Sequence, residues 1–329
     1  MPMKSLKILF ITFIVFSFYS CEKEITVDLP EVEQRIVIEG TIEQSQPPLV
    51  LLTYSQGYFE PTDVSSLESF FVRGAKVTLT DGTTTDSLFE ICSSELSPQE
   101  LEAIAGLIGF TPEQLSTFNI CAYTTLNQNL WGQEGKTYTL KVEKDEHLLT
   151  ASTKINTIVE LDSLWFAIPN EENDDSLGFV YGILSDPDTT GNAYRWFAKR
   201  INSYPSWAPD GLAGQQKDPV YIAPLGSVFD DTFFNGLSFE FGYYRGTGPN
   251  PSKFDDLNEE RGFYKKGDTI AVKGCVIDRQ AFRFIDSYEN QISSQGSPFS
   301  VPYNLETNVT GGLGAFIGYG AVYDTVICQ

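Results

Sequence analysis

The sequence predicts an all-β (mainly β) fold, and three observations carry that reading. Phe and Tyr number 24 and 16 while Met numbers 2, a bias toward residues that suit a pleated, half-buried surface. Short apolar runs alternate with polar residues, the period-2 signature of a strand with one buried face. Clusters of Gly, Pro, Asp and Asn separate those runs at hairpin spacing. A length of 329 residues suggests about two domains, at ~100–200 residues each.

The first twenty residues stand apart. Lys4 and Lys7 lead into an apolar run from Ile8 to Tyr19, shorter than the ~20 residues a spanning helix needs but matched to a signal-peptide core. The run ends at Ser20-Cys21, a small residue before cysteine, which is the junction a lipoprotein-processing peptidase reads. Cys21 is therefore expected to carry lipid and to become the mature N-terminus. An ordinary secretory signal with an incidental cysteine is the plainer alternative, since Phe18 and Tyr19 are bulkier than usual at that junction. Residues 21–34, charged and holding Pro30, read as a tether.

An immunoglobulin-like β-sandwich is expected over residues 35–155. Strand signals lie at 36–38 and 49–54, and Val77 and Leu79 run into Asp81-Gly82, a strong turn signal. Tyr138, Leu140 and Val142 alternate again, as do Ala151, Thr153 and Ile155. A helical insertion over 97–118 interrupts the strands. Ser97-Pro98-Gln99-Glu100 supplies a cap, a first-turn proline and a capping-box acid, and Leu101, Ile104, Ala105 and Ile108 share one face. Thr111-Pro112-Glu113 repeats the start signal. An insertion of this kind is either a partner contact or a packed decoration.

Residues 156–329 read as a second, β-rich domain with one helix. Its strands fall at 164–168, 179–184, 193–198, 237–243 and 269–277. Asp278 caps a helix whose apolar stripe is Ala281, Phe282, Ile285, Tyr288 and Ile292. A glycine-rich strand pair closes the chain, with Gly311-Gly312-Leu313-Gly314 allowing a tight turn or close backbone approach.

Charge and histidine count narrow the function. The chain has 44 acidic against 22 basic residues, a net charge of −22, which argues against nucleic acid and against unassisted binding to an anionic membrane. Removing residues 1–20 takes away two lysines and no acid, leaving 44 acids against 20 bases. A single histidine closes most routes to histidine base catalysis and zinc ligation, and neither a GxSxG elbow nor an HExxH helix occurs. Paired carboxylates of a hydrolase stay open, but nothing nominates a pair.

With Cys21 lipidated, Cys92, Cys121, Cys275 and Cys328 remain, and four cysteines allow three connectivities. The simplest pairing is Cys92–Cys121 and Cys275–Cys328, each worth ~3–4 kcal/mol on the loop-entropy model. No cofactor is expected. Ca2+ is the one ion the acids suggest: Asp186-Pro187-Asp188 with Gly191-Asn192 resembles the start of a calcium loop, but Phe197 stands where the twelfth-position carboxylate belongs. A turn between strands fits that stretch better. The acid clusters at 171–175 and at Asp255, Asp256, Glu259 and Glu260 read as solvated loops. Trp196 belongs to the core by strand alternation. Trp207, Tyr244 and Arg245, beside Pro and Gly, are the candidate contacts for a ligand or partner.

Several strings, taken in order, point to one family. They are C-E-K-E-I-T-V-D-L-P from Cys21, R-I-V-I-E-G-T-I from Arg35, G-A-K-V-T-L-T-D-G from Gly74 and E-G-K-T-Y-T-L-K-V from Glu134. L-S-D-P-D-T-T-G-N-A-Y-R-W from Leu184, F-D-D-T-F-F-N-G from Phe229 and P-Y-N-L-E-T-N-V-T-G-G-L-G-A-F-I-G-Y-G from Pro302 complete the set. Over residues 21–329 the chain resembles the Bacteroidota lipoprotein family catalogued as domain of unknown function 4249. The resemblance implies an outer-membrane, cell-surface lipoprotein, held to the membrane through its lipid alone and partnered with a TonB-dependent receptor. Glu22-Lys23-Glu24 resembles the surface-export signal of such lipoproteins, and triplets such as Asp86-Ser87-Leu88 and Asp162-Ser163-Leu164 resemble that phylum's O-glycosylation motif. The family has no catalytic residues to carry over. The cysteine-flanked helical insertion departs from its commoner pattern. The expected role is accessory or ligand-binding; a free-standing glycan or peptide module is the alternative, and an envelope hydrolase is the third reading.

Overall fold

The computed structural model describes residues 33–57, 67–108, 112–169, 176–208, 211, 213–246, 262–294 and 305–329. It is mainly β, with 47% strand against 16% helix, as the aromatic and period-2 patterns predict. Strand β1 (Ile36–Glu43) and β2 (Leu49–Tyr54) pair antiparallel. Ile36, Ile38 and Ile42 of β1 are buried, while Val37, Glu39, Thr41 and Glu43 project from the opposite face. The hairpin of β3 (Lys76–Thr80) and β4 (Thr85–Cys92) turns at the expected Asp81-Gly82, where Gly82 takes φ 88°. Asp81 Oδ1 accepts the amides of Thr83 and Thr84, and Oδ2 takes Lys136 Nζ at 2.7 Å. After β5 (Cys121–Thr124), strands β6 (Thr137–Lys144) and β7 (His147–Lys154) form a second hairpin.

The insertion forms as its start signals predict. Helix α1 (Pro98–Ile108) opens on a capping box in which the Ser97 amide and hydroxyl both donate to Glu100, at 2.8 and 2.7 Å. Helix α2 (Pro112–Thr117) follows; Thr111 lies outside the described residues.

The second half supplies β8 (Leu161–Ala167), β9 (Leu177–Ser185), β10 (Ala193–Arg200), β11 (Val228–Asp230), β12 (Ser238–Tyr243), β13 (Tyr264–Lys265) and β14 (Thr269–Ile277). Helix α3 (Arg279–Ser294) starts where Asp278 Oδ1 accepts the Ala281 amide. The glycine-rich end differs from the expected strand pair. It is a two-residue strand β15 (Val309–Thr310) followed by a fifteen-residue strand β16 (Leu313–Ile327).

That long strand reorganises the domain picture. Twelve strands form one sheet in the order β11-β10-β14-β16-β1-β2-β5-β4-β3-β6-β7-β15. Residues 313–319 of β16 run parallel to β1, and residues 320–327 run antiparallel to β14. Residues 34–329 accordingly form one compact unit, and the boundary expected near residue 156 crosses a continuous sheet. The first half is one sheet curled on itself, so that β1 and β2 face β3, β6 and β7 across a shared core. Its β7 end returns to β16, where Thr153 Oγ1 accepts the Gly318 amide and Asn308 bridges the carbonyls of Ser152 and Phe316. Ile38, Leu52, Leu79, Tyr138, Leu140 and Phe316 fill the interior. Close approach explains two glycines. A Cβ at Gly40 would stand 2.7 Å from the Phe316 ring, and Gly314, at φ 88°, lies against the Ile38 carbonyl.

The β10-β14-β16 part of the sheet is covered on both faces. On one, the small sheet of β8, β9, β12 and β13 packs through Val180, Trp196, Tyr264, Ile270 and Val272, and Trp196 is a core residue as expected. On the other, Ala281 and Ile285 of α3 pack on Ile277, Ala315 and Ile317.

The cysteines split. Cys92 and Cys121 stand directly opposite on β4 and β5 and form a disulfide. Cys275 and Cys328 are separate buried thiols, which corrects the second expected pair. Cys275 lies opposite Ala321, whereas the Cys328 amide donates to the Asp268 carbonyl, seven residues back along the chain from Cys275. At ~3.3 Å per residue that gap far exceeds the ~4.4–6.8 Å Cα separation a disulfide needs.

Candidate functional site

The outer face of β1 is the floor of a groove. The insertion forms one wall: Leu101, Ala105, Leu115, Phe118 and Ile120 pack onto Leu51 and Ala122, covering β2 and β5. The Cys92–Cys121 bond closes the insertion at its base. Helix α3 forms the opposite wall. Strict alternation along β1 places Thr41 and Glu43 between them.

Two cavities occupy this groove. One, of about 410 Å³, runs from the insertion to β10 and β14; the other, of about 520 Å³, runs beneath α3 over Val37, Glu39 and Ala315. Thr41 and Leu49 line both. Each falls within the ~300–1,000 Å³ of small-molecule sites.

The first cavity has two unlike ends. Toward the insertion it is apolar, with Leu49, Phe89, Ile91, Leu115 and Leu126. Toward β14 it meets Lys273, Phe197, Tyr221 and Tyr319. Lys273 and Phe197 are register partners on β14 and β10. Lys273 Nζ donates to Glu43 Oε2, the Tyr323 hydroxyl donates to Glu43 Oε1, and both ion-pair side chains are 15% exposed. The rings of Phe197, Tyr319, Tyr323 and Tyr221 surround Nζ at 5.2, 5.3, 5.9 and 6.0 Å, within cation–π range.

Charge and burial set the protonation states. Burial alone would pull the Lys273 ammonium down, but its interactions with Cys275, Glu43 and Tyr323 outweigh this and hold it above the usual lysine range. Burial pushes the Tyr221 and Tyr319 hydroxyls above the ordinary phenol range, so both remain donors. Lys199 lies 4.7 Å from the Tyr221 ring, and burial lowers its pKa. Arg195, lining the second cavity, stands 3.9 Å from Glu289 and 5.1 Å from the Phe197 ring.

The residues singled out in the sequence lie elsewhere. Cys21 and the acid clusters at 171–175 and 255–260 are outside the described residues. Trp207 is 74% exposed. Tyr244 is half-buried in a ring cluster with Phe179 and Phe263. Arg245 is fully buried, with Nη1 3.8 Å from Asp218, so it is removed from the surface contacts. The charge next to a glycine suggested a loop tip; the side chain instead turns inward to a carboxylate. Asp186 accepts from Tyr194, Asn192 and the Gly236 amide, which is the turn reading of the Asp-Pro-Asp stretch. Glu90, Cys92 and Cys121 bring metal-ligand atoms within 4.8 Å of one another, but both sulfurs are spent on the disulfide and Glu90 Oε2 accepts from Tyr123 and Gly74.

The groove residues escaped sequence reading because Glu43 and Lys273 are 230 positions apart. The one local signal was a lysine within the apolar run of β14.

The comparisons bear on the chain as a whole. Neither a curated protein nor a solved structure matches it. The model of a family described as domain of unknown function DUF4249 matches residues 22–323, nearly the entire chain and the span over which the quoted strings run. The chain belongs to the DUF4249 family.

Proposed function

We propose that this chain is a non-enzymatic binding protein of the cell envelope, anchored at the outer membrane through lipid on Cys21. It serves as an accessory, ligand-binding partner of a TonB-dependent receptor. The groove over β1 carries this reading: two cavities of ligand size share a floor and stand between two helical walls. The signal-like residues 1–20 and the Ser20-Cys21 junction support the anchor. The strongly acidic chain supports attachment by lipid rather than by surface charge.

Affinity purification from detergent-solubilised membranes tests the partnership. A single receptor should be recovered in near-stoichiometric amount, and recovery of the lipoprotein alone would overturn the receptor role. Metabolic labelling with a radioactive fatty acid should mark the parent chain and not Cys21→Ala; equal labelling of the two would remove the anchor.

One observation favours a free-standing glycan-binding module instead. On the small sheet, the face opposite the core holds Trp165 and Tyr181 with ring planes 14° apart, beside Phe179, Tyr244 and Phe263. Half-exposed rings stack against the C–H faces of sugars. This reading predicts thermal stabilisation by oligosaccharide in the absence of any receptor, and loss of that effect in Trp165→Ala.

A further inference from the structure

We infer that the groove takes a single-chain amphiphile with an anionic head, its head at Lys273 and its chain along the insertion wall. The inference rests on the groove being the ligand site and names the class of ligand. Three observations converge on it.

The first is shape and polarity. The 410 Å³ cavity is apolar along the insertion, and two of its apolar lining residues, Phe89 and Leu126, are 42% and 78% exposed. A hydrocarbon chain lying there would cover surface that water now meets, and such burial is favourable at about 25 cal/mol per Å².

The second is hydrogen-bonding capacity at the other end. Both Glu43 oxygens are occupied, one by Lys273 and one by Tyr323. Lys273 spends one of its three N–H donors on Glu43. Tyr221 and Tyr319 line the cavity, and neither hydroxyl donates to any described residue. Arg195, on the adjoining bank, has a buried Nε with no partner among the described residues. Glu43 is the one carboxylate lining this cavity and each of its oxygens already takes a bond, so donors outnumber anionic acceptors here. A ligand head that brings acceptors is complementary to them.

The third is local charge. Arg195, Lys199 and Lys273 project from one face of β10 and β14, against Glu43 and Glu289. Around the polar end of the first cavity Lys273 and Lys199 stand against Glu43, while Glu39 and Glu306 line only the second cavity, in a chain of net −22. A carboxylate or similar anion is complementary to that end, whereas a cationic head would face Lys273 directly.

The test compares three ligands of one chain length by calorimetry below their micellar concentrations: dodecanoate, 1-monododecanoylglycerol and dodecyltrimethylammonium. The protein is residues 21–329 produced without the signal segment and bearing Cys21→Ser, so that it carries no lipid of its own. Dodecanoate should bind about tenfold more tightly than the other two. The paired variant Glu43→Gln/Lys273→Met, which leaves no charge unpartnered, should bring dodecanoate to the level of the neutral ligand. Tyr319→Phe, removing one hydroxyl, should weaken dodecanoate a few-fold and leave the neutral ligand unchanged; thermal unfolding checks that each variant folds. Equal affinity for the three heads, or a dodecanoate preference that survives both variants, would overturn the head assignment while the groove stands as a site. Absence of binding by all three would overturn the groove reading itself.

Discussion

The two faces of β10 and β14 hold similar side chains under opposite conditions. On the face toward the small sheet, Arg200 meets Asp218 in a bidentate pair, Nε and Nη2 each at 2.8 Å, with side chains 0% and 2% exposed. Asp218 also accepts the Arg200 backbone amide. On the face toward the groove, Lys273 meets Glu43 through one bond, beside four rings and a cavity. Arg195 and Glu289, on the same face, reach only 3.9 Å. A fork gripped at two points by a buried carboxylate locks a core; a flexible ammonium with donors to spare, at the end of a cavity, leaves room for a ligand. Charge alone does not mark a site. The remaining hydrogen-bonding capacity does.

Removing the carboxylate of the closed pair should have the largest effect. Asp218→Ala removes the carboxylate that Arg200 and Arg245 share and should cost about 3–5 kcal/mol in chemical denaturation. A loss below about 1 kcal/mol would mean that the pair is hydrated and that the contrast between the faces is false. Next comes the wall of the open face. Replacing Cys92 and Cys121 by Ser should cost about 3–4 kcal/mol for a bridge of sequence separation 29. Cys275 and Cys328, whose thiols burial pushes up to about 12, should resist alkylation in the native protein at pH 8, and both should react after unfolding, as peptide mapping would show. Rapid native labelling of Cys275 would open the groove side of β14 to solvent.

These contrasts explain what could be read in advance. Strands with local partners were legible: the Asp81-Gly82 hairpin, the Ser97–Glu100 capping box and the helix after Asp278 each depend on residues within a few positions. Trp196 was legible as core because alternation on β10 puts it opposite Arg195 and Phe197. The single continuous sheet was not. It depends on β16 returning to lie parallel to β1, a pairing of residues 37–43 with 313–319 that leaves no local signature. The same non-locality hid the site, since its floor, walls and charged end come from β1, the insertion, α3 and β14. Arg245 misled because composition says where loops fall but not which way a long side chain turns.

The smallest expected effect concerns Glu289, the loose partner on the open face, and it sharpens the comparison through pH. Burial, only partly offset by the Gly226 amide and Arg195, raises its carboxyl above the ordinary range. In the unfolded chain the same group ionises at its ordinary pKa. As pH rises through the interval between the two values, the unfolded state gives up its proton first, so the folded state loses relative stability. Glu289 therefore contributes a penalty at neutral pH that is absent in acid. Glu289→Gln retains an acceptor for the Gly226 amide and removes the titration. Urea midpoints at pH 4 and pH 7 should consequently lie closer together in the variant than in the parent, with the parent relatively weaker at pH 7. A variant that loses stability at pH 7 alone would show that Arg195 and Glu289 are bound to each other as firmly as Arg200 and Asp218, and Arg195 would then drop out of the groove's surplus of donors.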